Sequence, residues 1–165
     1  MTDLKKKMKK IKLLAMDVDG TLTDGRIYMG NNGEVMKSFD VKDGYGIKNL
    51  LPSAGIIPVI ISGRKSKIVR VRANELGIQY VLQGVNDKEK AICTLREKLH
   101  LTLEETAVIG DDLNDLPLMR QARLTGCPSN AVRMVKEQSG YICHNKGGEG
   151  AVREFIEWLC QQQTE

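Results

Sequence analysis

The sequence predicts a three-layer α/β/α sandwich on a mainly parallel, Rossmann-like sheet, and three observations predict it. Short apolar runs alternate with helix-period segments from residue 11 to the C-terminus, the pattern of parallel strands joined by helical crossovers. The runs at 11–16, 57–61 and 106–109 are nearly continuous in apolar residues, as in strands covered on both faces. Each of these three runs is followed by acidic, hydroxyl or glycine residues, the residue types that enzymes of this class place at strand ends. A length of 165 residues suits one domain of about 100–200 residues, so residues 1–165 are expected to form a single unit, with 1–10 as a basic tail.

Residues 11–16 read as the first strand. Residues 26–29 and 34–39 flank Gly30-Asn31-Asn32-Gly33, a hairpin signal because Asn and Gly accept the turn's left-handed backbone. Residues 43–51 read as a helix that must stop or kink at Pro52, which lacks an N–H. Residues 57–61 form a buried strand, and 66–76 a helix with Gly77 as its C-terminal cap. A strand at 79–82 and a helix at 87–99 follow. Then come a strand at 106–109 and a helix at 113–122 with Pro117 near its start. A short strand at 124–126 precedes a helix at 131–137 with Asn130 as N-cap. Residues 141–143 give a last strand. The final helix, 151–162, carries Val152, Phe155, Ile156 and Leu159 on one face. Trp158 falls off that face and reads either as a contact to a neighbouring chain or as a partly buried surface residue.

The formal net charge is +4, but the first twelve residues hold six Lys and one Asp, so the rest of the chain is close to neutral. That tuft reads as a solubilising start, because a nucleic-acid binder would also need a basic face on its body. Aromatic residues make up only 4%, too few for a base-stacking surface. No apolar run approaches the roughly 18 residues of a membrane span, and the stretch after the lysines is broken by Lys12, which argues against a signal peptide. The expected partners are therefore neither nucleic acid nor membrane. The four Cys are scattered and only two His are present. Reduced thiols in the cytoplasm are expected, and a zinc site is not.

The strand ends carry the chemistry. They are Asp17-Val18-Asp19-Gly20-Thr21, Ser62-Gly63-Arg64, Asn86-Asp87-Lys88 and Gly110-Asp111-Asp112-Leu113-Asn114-Asp115. Asp17, Asp19, Asp111, Asp112 and Asp115 crowded at one sheet edge repel one another. A hard dication relieves that repulsion, and a ligand set of oxygens alone selects Mg²⁺. Lys88 and the Ser62 hydroxyl complete an anion cradle, which is most of what phosphoryl transfer requires. Carboxylates at i and i+2 allow one to attack phosphorus and the other to move protons. Each stretch alone is ordinary, since acids often cap turns and lysines often open helices. All four in order, each behind its own strand, point to a phosphoryl-transfer site.

These stretches resemble the four motifs of the haloacid dehalogenase superfamily of phosphohydrolases. The resemblance implies Asp17 as nucleophile and Asp19 as general acid/base. It implies Mg²⁺ held by the Asp17 and Asp111 carboxylates and the Asp19 backbone carbonyl, with Ser62 and Lys88 on the phosphoryl oxygens. Asp112 and Asp115 would support Lys88 or the metal's waters. The intervals between the motifs leave no room for a cap domain.

Residues 39–48, 61–65 and 147–154 are further similar to the 3-deoxy-D-manno-octulosonate 8-phosphate phosphatase family. That resemblance implies a capless, Mg²⁺-dependent homotetramer acting in lipopolysaccharide biosynthesis, with residues 26–39 as the hairpin that builds a central barrel. It implies an aspartyl-phosphate intermediate, and substrate contacts at Asp19, Asp40, Val41, Lys42, Asp43, Gly44, Lys48, Ser62, Gly63, Arg64, Arg72 and Lys88. Cationic Lys48, Arg64 and Arg72 suit a substrate bearing both carboxylate and phosphate, although Arg72 reads equally well as a solvated helix charge. A sister group hydrolyses nine-carbon 2-keto-3-deoxy-nononate 9-phosphates. Arg64 argues for the eight-carbon acid, whereas Thr21 and Glu149 lean toward the sister group. The glycines at 147–150 suggest a backbone anion cradle or a plain connector, and the resemblance implies a tail that reaches toward a neighbour's active site. A receiver-like phosphoacceptor switch uses similar groups, but its acceptor Asp follows the third strand, where Gln83-Gly84 stand here.

Overall fold

The protein is described over residues 10–164 of a computed structural model; apart from Lys10, the lysine-rich tail expected at 1–10 lies outside the described residues. Six parallel strands form the central sheet: β1 (Leu13–Met16), β4 (Ile57–Ser62), β5 (Tyr80–Gln83), β6 (Thr106–Ile109), β7 (Leu124–Cys127) and β8 (Tyr141–Ile142), in the order β5-β4-β1-β6-β7-β8. A separate antiparallel hairpin consists of β2 (Tyr28–Gly30) and β3 (Gly33–Met36).

Side chains of the inner strands divide by the two-residue period of extended chain. Leu14 and Met16 of β1, Ile60 of β4, and Ala107 and Ile109 of β6 enter one core. Leu13 and Ala15, Val59 and Ile61, and Val108 enter the other. The first core is covered by α2 (Leu51–Ser53) through Leu51, α3 (Lys67–Glu75) through Val69 and Ala73, and α7 (Ala151–Thr164) through Val152, Phe155, Ile156 and Leu159. The second is covered by α4 (Lys88–Leu99) through Ile92 and Leu95, α5 (Leu116–Met119) and α6 (Arg133–Gln138). The three-layer expectation holds, with both faces of the sheet buried.

Several local expectations are corrected. The helix read at 43–51 begins earlier, as α1 (Val41–Tyr45), and runs through Pro52. It does so because Gly46–Leu50 opens into a π turn, in which the Leu51 N–H reaches back to the Gly46 carbonyl. The wider turn adjusts the ladder just where proline's missing donor would break it. Asn130 does not cap α6, whose cap position is Val132; its Oδ1 instead accepts from the Gly147 N–H at 3.0 Å. The helix read at 113–122 is split into a 3₁₀ turn, Leu113–Asp115, and the short α5. Trp158 is half-buried and stacks on Tyr141 and Phe155, with ring centroids 4.8 and 5.5 Å away.

The hairpin turns on Asn31-Asn32, and a bulge lies between Tyr28 and Met29. Ile27, Met29, Val35 and Met36 are exposed on it.

Candidate active site

From β1 the chain builds outward to β4 and β5, then crosses back to β6 and builds the other way. Crevices in such sheets open where that direction reverses, here between the C-terminal ends of β1 and β6. Asp17 is the first residue beyond β1, and its N–H bonds the Ile109 carbonyl at 3.1 Å. The chain then doubles back sharply, with the N–H groups of Thr21, Leu22 and Thr23 all reaching the Val18 carbonyl. Gly20 makes this turn possible: its φ is +95°, and a Cβ there would sit 2.1 Å from Asp111 Oδ2. Thr21 Oγ1 donates to Asp111 Oδ1 at 2.8 Å, which orients that carboxylate across the crevice toward Asp17.

Lys88 opens α4 behind the Asp87 N-cap and is buried. Its ammonium donates to Asp17 Oδ1 at 2.7 Å and to Asp115 Oδ1 at 2.6 Å. Asp115 has no solvent exposure, and its Oδ2 accepts from the N–H groups of Asp111 and Asp112 at 2.9 and 3.2 Å. Asp115 therefore locks the Asp111 turn and Lys88 together. The Asp112 side chain takes no part in that lock. It is exposed and caps the 3₁₀ turn by accepting from the Leu113 N–H at 2.7 Å. Ser62, buried at the end of β4, stands on the same sheet edge.

Carboxylate oxygens of Asp17, Asp111 and Asp115 lie within 4.8 Å of one another. Three carboxylates meet here with one ammonium, which bonds two of them, so negative charge is in excess. Burial, then the Asp115 charge, raise the Asp17 pKa well above the usual carboxylate range, against the pull of Lys88. Burial also pushes Asp111 up to about 6, against its hydrogen bond from Thr21. Burial alone would lower the Lys88 pKa, but the charges of Asp17 and Asp115 outweigh it and raise it. The site is thus built for an additional positive charge. Both Asp115 oxygens are already occupied by donors, which leaves the Asp17 and Asp111 carboxylates to receive a cation.

Asp19 belongs to a second group. Its Oδ1 accepts from Lys37 Nζ at 2.5 Å, and its Oδ2 lies 3.9 Å from Arg64 Nε. The Lys37 side chain is only 1% exposed and also pairs with Glu34 Oε1 at 2.7 Å. Burial would lower the Lys37 pKa, but its bonds to Asp19 and Glu34 prevail and raise it. Neither Lys37 nor Glu34 was expected from the sequence. The available signal was an i,i+3 pair of opposite charges leaving a hairpin, which by itself suggests only a surface pair.

Five of the remaining expected substrate residues, Asp40 to Gly44, lie in α1 and its cap. Asp40 caps α1, accepting from the Lys42 N–H at 2.6 Å. Val41 and Lys42 are exposed beside it. Asp43 is buried and accepts from the Arg153 N–H at 2.7 Å, so it serves as the anion at the N-terminus of α7. Burial raises its pKa to about 6, against the bond from Arg153. Gly44 is packed under the Arg72 guanidinium. Arg72 pairs with Glu75 at 2.9 Å, reaches the Asp40 carbonyl at 3.5 Å and lies over the Phe39 ring, so it is neither solvated nor free. Lys48 donates to the Glu75 carbonyl at 3.2 Å. Gly63 is exposed in the loop leading to Arg64.

The glycine stretch 147–150 is not a loose connector. The Gly148 N–H donates to the Thr21 carbonyl at 3.2 Å, and a Cβ on Gly147 would sit 1.8 Å from the Gly20 oxygen. Its backbone buttresses the turn after Asp17. The anion cradle expected there is filled by this chain's own Asp43.

Residues 81–156 match the family model of haloacid dehalogenase-like hydrolases. The chain is 44% identical over 162 residues to the 3-deoxy-D-manno-octulosonate 8-phosphate phosphatase of Salmonella typhi, covering 98% of this chain and 86% of the relative. The crystal structure of the Yersinia pestis phosphatase of that name superposes with a TM-score of 0.90 at 42% identity, covering 99% of this chain and 88% of the other. The Moraxella catarrhalis phosphatase, solved with a magnesium ion, a phosphate ion and a KDO molecule, gives 0.90 at 43% identity, covering 99% and 94%. With the acidic crevice, the lysine between its carboxylates and likeness along nearly the whole chain, this protein belongs to the 3-deoxy-D-manno-octulosonate 8-phosphate phosphatase family of haloacid dehalogenase-like hydrolases.

Proposed function

We propose that this protein hydrolyses 3-deoxy-D-manno-octulosonate 8-phosphate to the free sugar acid and phosphate, through a phosphoryl group carried on Asp17. The observation that carries this reading is the Asp17–Lys88–Asp115 bonding beside Asp111, in a chain 44% identical to phosphatases of that name.

The donor set fits Mg²⁺. It consists of carboxylate oxygens in charge excess, with no His or Cys among them. The Asp17 and Asp111 carboxylates would hold the ion, with the Asp19 carbonyl as a further ligand. When bound, it supplies charge neutralisation and polarises a phosphoryl oxygen. An Asp17 oxygen attacks phosphorus in line, the bond to the sugar oxygen breaks, and the Asp19 carboxyl donates its proton to that leaving oxygen. A water oxygen then attacks the aspartyl-phosphate and gives its proton to the Asp19 carboxylate, which frees phosphate and restores Asp17. Lys88 holds Asp17 for attack and offsets charge on the phosphoryl oxygens, and the Ser62 hydroxyl completes the cradle. Arg64, half-exposed beside Asp19, suits the sugar's carboxylate.

The finer assignments rest on the same reading. The exposed Ile27, Met29, Val35 and Met36 of the hairpin support a homotetramer joined through that element, since such apolar surface is a docking surface. Four free cysteines support a cytoplasmic site of action, consistent with a step of lipopolysaccharide biosynthesis. Steady-state phosphate release tests the proposal. Release from the octulosonate ester should require Mg²⁺, exceed release from the nine-carbon nononate ester and vanish in Asp17→Asn. A preference for the nine-carbon ester would move the protein to the sister group.

A further inference from the structure

The hairpin is not part of the main sheet, yet it sends a lysine to the Asp19 carboxylate. Lys37 follows β3, and its side chain is 1% exposed. A lysine is seldom so buried unless its charge is used. Its Nζ holds Asp19 Oδ1 at 2.5 Å on one side and Glu34 Oε1 at 2.7 Å on the other. Glu34 Oε2 accepts from Ser66 Oγ at 2.5 Å. Ser66 caps α3 through the Val69 N–H and is fastened to β5 by two bonds with the Gln83 side chain, at 2.8 and 3.2 Å. An unbroken chain of polar contacts thus runs from the sheet edge through α3 and the hairpin to Asp19.

We infer that Lys37, braced by Glu34 and Ser66, is a positioning residue that fixes the Asp19 carboxylate by one oxygen and leaves the other, Oδ2, facing the leaving oxygen and then the water. This rests on the phosphatase reading above. Asp19 extends from a turn and is 19% exposed, so without an anchor its carboxylate can swing between rotamers. Losing near-attack geometry of this kind costs on the order of 100-fold for a displacement of about 1 Å. The hairpin then has a catalytic duty besides any role in assembly. It carries both Lys37 and Glu34, so displacing it releases Asp19.

The test exploits leaving groups. A sugar alkoxide needs a proton from Asp19 to depart, whereas p-nitrophenolate does not. Hydrolysis of the aspartyl-phosphate needs Asp19 with either substrate. Lys37→Met should lower kcat on the octulosonate ester roughly 10–100-fold with KM little changed. On p-nitrophenyl phosphate the same variant should release about one equivalent of nitrophenol promptly and then turn over slowly. Glu34→Gln should show the same pattern more weakly, and Lys37→Arg should restore most of the rate. Equal losses on both substrates without a burst, a rise in KM alone, or unchanged rates would overturn the inference. If Lys37→Met does not fold, Glu34→Gln and Lys37→Arg decide by the same criteria. If the wild-type enzyme ignores the octulosonate ester yet cleaves p-nitrophenyl phosphate, the function reading fails, and the leaving-group comparison proceeds with glycerol phosphate as the alkyl ester.

Discussion

Replacing Lys88 with Met removes the one ammonium that two buried carboxylates share. Lys88 is 4% exposed, and its bonds to Asp17 and Asp115 measure 2.7 and 2.6 Å. Taking one partner from a buried ion pair costs about 3–5 kcal/mol, because the other is left charged and dry. For a chain of 165 residues, each kcal/mol is worth about 2–4 °C in Tm. The metal-free variant should therefore melt about 6–20 °C below wild type at pH 8. The deficit should shrink at pH 5. The pKa of Asp17 is already raised with Lys88 present, and without the lysine a proton must take over its role. In the variant the folded state binds protons that the unfolded state does not, so its stability falls as pH rises. Excess Mg²⁺ should recover part of the loss by binding only the folded chain. Thermal melts of both proteins in chelator, at both pH values and then with Mg²⁺, test this. Coincident melting of variant and wild type at pH 8 without metal would refute the claim that Lys88 neutralises the crevice.

Asp43→Asn should reshape stability rather than chemistry. The Asp43 carboxyl titrates near 6 instead of 3.8, so its ionised form costs the fold about 3 kcal/mol at neutral pH. Between about pH 4 and 6 the folded state holds this proton more tightly than the unfolded state, so wild-type stability falls there as pH rises. Asn keeps an acceptor for the Arg153 N–H, and the variant should gain on wild type over that window in urea melts; parallel curves would contradict it. Gly20→Ala places a methyl group 2.1 Å from Asp111 Oδ2 at a φ of +95°. It should weaken Mg²⁺ binding by roughly 10–100-fold in activity titrations, as other changes just outside a metal's ligands do. Wild-type affinity would mean that Asp111 is free to move aside. Arg64→Glu should reduce kcat/KM for the eight-carbon ester more than for the nine-carbon one, and equal losses would remove Arg64 as the discriminator.

Much of this site is legible from strand ends alone. A parallel sheet gathers the residues that follow its strands, so strand order alone assigns Asp17, Ser62, Lys88 and Asp111 to one edge. What escapes is pairing across long separations with no local pattern. Asp43 and Arg153 are 110 residues apart, and nothing in Asp43-Gly44 distinguishes a substrate contact from the anion that ends another helix. Lys37 meets Asp19 only because the hairpin folds back toward the turn after β1, and the hairpin's position follows from no periodicity. The π turn had a local cause in Pro52, but the choice between stopping and widening depends on how Leu51 packs into the core. Asp112 and Asp115 look alike in sequence. Only the 3₁₀ turn separates them, sending one to solvent and the other to Lys88.

The claim that most of this depends on is that the Asp17 carboxylate takes the phosphoryl group. A single turnover of phosphorus-labelled octulosonate 8-phosphate with excess enzyme and Mg²⁺, quenched in acid at successive times and digested, tests it. Label should appear transiently on the peptide containing Asp17, then pass to inorganic phosphate, and neither should form in Asp17→Asn or in chelator. Phosphate released by wild type with no labelled peptide at any time, or label on another residue, would contradict it.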